Sequence, residues 1–79
     1  MKRGTANHRG YSASIHYSRE DGCFVGEALG LRRTSFDIRG ATFEKACADF
    51  REWIDLYLAN CENEGIEAEK PQGIHWDGR

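Results

Sequence analysis

With 79 residues the chain has room for one small domain around a single core. Hydrophobic residues make up 39% and charged residues 30%, an ordinary balance for a globular chain, and no apolar run approaches the roughly 18 residues of a membrane span. The net charge of −2 hides an asymmetry: residues 1–40 carry seven Lys/Arg against four Asp/Glu, while residues 41–79 carry four against nine. Such an acidic half repels nucleic acid and can attract a basic protein.

Residues 1–9 are polar and basic, without a period and without the apolar centre of a signal peptide. They read as a disordered lead or an artificial remnant ahead of one domain over residues 10–79. A cytoplasmic location is the default expectation.

Tyr11 to Tyr17 alternate cleanly. Tyr11, Ala13, Ile15 and Tyr17 share one face and Ser12, Ser14 and His16 the other, the pattern of a half-buried strand. Ser18 to Gly22 is turn chemistry, with Asp21-Gly22 suited to positive φ, so a hairpin follows. A second strand, Cys23 to Gly30, turns inward either Phe24, Gly26 and Ala28 or Cys23, Val25 and Leu29. Gly26 inside it points to a bulge or a close neighbour. Arg32 and Arg33 sit in the next connection and read as solvated. The third strand is Ser35–Gly40, with Phe36 and Ile38 on one side.

The longest periodic stretch runs from Gly40 to Gly65. Phe43, Ala46, Cys47, Phe50, Ile54, Tyr57, Leu58 and Cys61 fall on one stripe at about 100° per residue, which predicts an amphipathic helix over residues 43–64. Thr42 can cap its start, Gly65 fits the left-handed position after its end, and Ile66 can close on the last turn. Trp53 lies at the edge of the stripe and Leu56 well outside it. Asp49, Trp53, Leu56 and Asn60 form one ridge at helical spacing, a large aromatic beside a stray leucine among acids. Beyond the helix, Pro71 and Gly73 break the chain, and Ile74 and Trp76 alternate with His75 and Asp77, which allows a short final strand that covers a sheet edge or pairs with another chain. The expected class is α+β: a three-stranded antiparallel meander, one long helix and that last strand.

Reactive chemistry is sparse. The three cysteines are odd in number and form no C-x-x-C, so they read as free thiols in a reducing compartment. With the three histidines they show no ligand spacing, so no metal site and no cofactor is expected. Glu27 and Asp37 are the only acids within the strands, too few for a two-metal nuclease centre. Ser14 and His16 share a face without an orienting acid. No glycine-rich phosphate loop occurs. These absences point to a binding module, not an enzyme.

Several residues together resemble a known family. Tyr11-x-Ala13-x-Ile15-x-Tyr17, Glu20-Asp21-Gly22-x-Phe24-Val25-Gly26, Gly30-Leu31, Gly40-x-Thr42, Phe50-x-Glu52, Asp55-x-Tyr57-Leu58, Cys61, Gly65 and Lys70-Pro71 follow in that order. The set, over roughly residues 11–73, is similar to the N-terminal domain of the HicB family of type II antitoxins. The resemblance implies a partial ribonuclease H-like fold without nuclease activity, a homo-oligomer (dimer or tetramer), and a partner of the HicA type, a small basic mRNA-cleaving toxin whose active surface the domain covers. Lys45, Leu56 and Ala68 depart from the family pattern, and the tail IHWDGR does not match it. The chain ends at Arg79, where a DNA-binding extension is expected in the family, so operator binding is not implied for it. The residues expected to touch a toxin or a second copy are Asp49, Trp53, Leu56, Asn60, Ile74 and Trp76.

Overall fold

The structure, a computed structural model of the whole chain, describes residues 3–71. Four strands precede one helix: β1 (Arg3–His8), β2 (Tyr11–Ser18), β3 (Cys23–Ala28), β4 (Ile38–Gly40) and α1 (Phe43–Glu64). The sheet is an antiparallel meander in the order β1-β2-β3-β4, with α1 across one face, an α+β layout. Among the described residues no helix is long and apolar enough to cross a membrane.

β1 corrects the reading of residues 1–9 as a disordered lead. Arg3–His8 pairs with β2 in register, from Arg3 against His16 to His8 against Tyr11. The connection is the two-residue turn Arg9-Gly10, with φ of 53° and 87°, the mirror-image turn that matches strand twist. Its inward residues are small. Ala6 is buried, and a Cβ at Gly4 would sit 3.0 Å from the tip of the Phe43 ring.

β2 holds the expected faces: Tyr11, Ala13 and Ile15 are buried, Ser14 and His16 exposed. The choice left open for β3 falls to Phe24, Gly26 and Ala28, since Phe24 and Ala28 pack on the core and Gly26 stands opposite Ile15. A Cβ on Gly26 would lie 2.8 Å from Ile15 Cγ1 and from the Ser14 carbonyl oxygen, which is the close neighbour its place in a strand implied. The third expected strand shrinks from Ser35–Gly40 to Ile38–Gly40. Its ladder runs from Phe24 against Gly40 to Gly26 against Ile38, and the next pair in register would set Glu27 against Asp37. Two acids directly opposed repel, which gives a physical reason for the ladder to stop there.

α1 spans the expected residues. Thr42 is extended (φ −128°, ψ 167°), and its hydroxyl accepts from the Lys45 N–H at 3.0 Å. Gly65 is left-handed (φ 69°), while Gly65 N–H donates to Glu62 and Ile66 N–H to Cys61 at 2.9 Å, closing the end in a Schellman pattern. Ala46, Phe50, Ile54 and Cys61 are buried, with Phe43, Cys47, Tyr57 and Leu58 packed around them. The helix lies close because the sheet beneath it is small-residue rich. At Gly40 a Cβ would be 2.2 Å from Ala46 N, so only glycine admits the first turn of α1 there. The short final strand expected at Ile74–Trp76 lies outside the described residues.

Candidate functional site

The two flanks of α1 meet different neighbours. On the β1 side, Asp55 Oδ1 accepts from His8 Nε2 at 2.8 Å and Arg9 Nη1 at 3.1 Å, tying the first turn of the sheet to the helix. Hydrogen bonds from His8 and then Arg9 hold the Asp55 carboxyl below the usual aspartate range. The β4 side is apolar. The Trp53 indole stacks on Phe36, ring centres 5.6 Å apart and planes at 27°. Tyr57 meets the same Phe36 edge-on, also at 5.6 Å. Leu56 stands beside them 63% exposed, and Trp53 is 36% exposed. Phe36, Trp53, Leu56, Tyr57 and Asn60 surround a shallow depression of about 380 Å³. Asp49, Glu52, Trp53 and Leu56 line a smaller one of about 150 Å³ on the same flank.

Four residues expected at a contact surface, Asp49, Trp53, Leu56 and Asn60, therefore lie along one flank. Their roles differ. Asp49 Oδ2 accepts the backbone N–H of Arg39 at 3.1 Å, so it satisfies an edge-strand donor that would otherwise invite another strand. Trp53 is at once a cover for Phe36 and an exposed aromatic surface. Leu56 and Asn60 are simply exposed. Ile74 and Trp76, expected in the same surface, lie outside the described residues.

Glu69 is a functional-looking residue that sequence reasoning passed over. It is only 7% exposed, yet it is a carboxylate. Its oxygens accept from the backbone N–H groups of Arg32 at 2.6 Å and Arg33 at 3.0 Å. Its own N–H donates to the Tyr57 hydroxyl and its carbonyl accepts from the Tyr11 hydroxyl, both at 2.7 Å. The Arg32 N–H and then the Arg33 N–H hold the carboxyl below its usual range, against the upward push of burial. Burial, then the nearby Tyr57, raises the Tyr11 phenol, which stays a donor. The clasp fixes the loop that delivers Phe36 beneath Trp53. Its partners are 36 and 37 residues away, so no local pattern announces it.

The remaining candidates do not assemble. Glu27 stands opposite Ser14 and not His16, and no hydrogen bond joins the three among the described residues. No group of three His, Cys, Asp or Glu side chains able to hold a metal gathers there either. The cysteines are free, with Cys61 buried and Cys23 and Cys47 half-buried. A second depression of about 380 Å³ lies between the Arg9-Gly10 turn and Pro71. Pro71 is the last described residue.

No family model, curated protein or solved structure matches the chain. Its functional reading therefore rests on the residues and geometry above.

Proposed function

We propose that the chain is a non-catalytic, cytoplasmic protein-binding module of the antitoxin type, which holds a small basic mRNA-cleaving toxin inactive. The observation that carries the binding part of this reading is the Trp53–Leu56 flank: a rigidly stacked indole beside a leucine 63% exposed, with no polar duty to explain either. Aromatic anchors on a fixed floor are what the desolvated centre of a protein contact uses. The antitoxin part rests on the ordered motif set resembling HicB proteins, and on the acidic second half of the chain, whose charge would speed capture of a basic partner.

Co-expression with the small basic protein encoded beside it tests this reading. The two proteins co-purify, and the growth arrest caused by the basic protein alone is relieved. Absence of a complex with any such neighbour overturns the proposal. The exposed apolar flank also favours a second reading, an orphan oligomeric interaction module; that protein forms a stable homo-oligomer and binds no toxin.

A further inference from the structure

The β4-side flank of α1 is complementary to itself when read backwards. Its residues in order are Lys45, Asp49, Trp53, Leu56, Asn60 and Glu64, at spacings of 4, 4, 3, 4 and 4, the same from either end. At about 100° per residue all six fall within an arc of roughly 100° on the helix surface. All are exposed except Asp49, which is half-buried.

We propose that this flank packs against the same flank of a second copy of the chain, the two helices antiparallel about a two-fold axis midway between Trp53 and Leu56. The proposal rests on reading the Trp53–Leu56 patch as a protein contact, and it names the occupant. The two-fold sets Trp53 on Leu56 of the second copy, twice. It sets the Asp49 carboxylate by the Asn60 amide, a donor for Oδ1, since Oδ2 already accepts the Arg39 N–H. It sets the Lys45 ammonium by the Glu64 carboxylate at each end. A parallel pairing would put Lys45 on Lys45, Asp49 on Asp49 and Glu64 on Glu64, so the charges select the antiparallel sense. A crossing angle near 20° keeps the whole stripe, about 28 Å long, in contact. The opposite flank lacks this property: read the same way it sets Glu44 on Glu62.

A stripe this narrow buries less than the roughly 800 Å² per partner of a standard interface, so the dimer is concentration-dependent.

Sedimentation equilibrium of the full chain over a wide concentration series tests the pairing. Lys45→Glu and Glu64→Lys each create two like-charge contacts by symmetry, and each raises the dimer dissociation constant about tenfold. The double swap, Lys45→Glu with Glu64→Lys, returns it to the wild-type value. Circular dichroism of each variant checks that α1 is intact. Wild-type chain that stays monomeric throughout, or a double swap no better than the singles, overturns the proposal. Monomeric chain that still captures a basic toxin removes the second copy but leaves the antitoxin reading standing; a dimer without toxin binding does the reverse.

Discussion

The two flanks of α1 show how one helix can be closed on one side and open on the other. The β1 flank ends in polar bonds, with Asp55 taking both His8 and Arg9. The β4 flank ends in a stacked Trp53 and a bare Leu56, with Asp49 spent on the backbone of the edge strand. A short edge strand explains the difference. β4 is three residues long, so Phe36 arrives from outside the ladder and its ring meets the helix at Trp53. Aromatic surface left by a short edge is a place where another chain can gain by association.

Both flanks depend on the closeness of helix and sheet, so the largest effect comes from removing it. Gly40→Ala places a methyl 2.2 Å from Ala46 N and should cost about 3 kcal/mol or more, measured by urea unfolding. Phe50→Ala, fully buried between the flanks, should cost about 3–5 kcal/mol in the same assay. A loss well below 1 kcal/mol in either would mean that α1 is not docked as described.

The next effect separates binding from stability. Leu56→Ala should leave unfolding within about 0.5 kcal/mol, because the side chain is exposed, while Trp53→Ala loses its stack on Phe36 and about 1 kcal/mol. Together they should weaken association far more than folding. A lower melting temperature with unchanged association would make both residues mere cover for the core.

Glu69 links the open flank to pH. Its folded carboxyl titrates below the ordinary range, so its contribution is complete above the unfolded value and is lost as pH falls through the folded one. Glu69→Gln should lower the melting temperature near neutrality, and the gap to wild type should close in acid. A gap independent of pH would show that the carboxylate charge is not what holds Arg32 and Arg33.

The smallest effect belongs to the closed flank. Asp55→Asn should cost little, and less in high salt, since the pair is about half exposed. Its carboxyl also titrates low, so what it does contribute disappears as pH falls through its folded value.

How much of this was legible follows from where each signal resides. The helix, its caps and its buried stripe were written locally, in period and in Thr42 and Gly65, and they match residue for residue. The faces of β2 were equally plain. β1 was invisible because its inward residues, Gly4 and Ala6, are chosen for what lies above them and carry no apolar alternation of their own. The ridge could be seen as an oddity of Trp53 and Leu56. Its floor, Phe36, and the Glu69 clasp that holds that loop join residues far apart in sequence, and such contacts leave no periodic trace.

The most direct test of the open flank is an amide spectrum of isotope-labelled chain recorded across a concentration series and again with the basic neighbour. Shifts confined to Asp49, Trp53, Leu56, Asn60 and their ridge neighbours in at least one series are the predicted result. Shifts centred on His8, Arg9 and Asp55, with the Trp53 ridge unmoved in both, would contradict it.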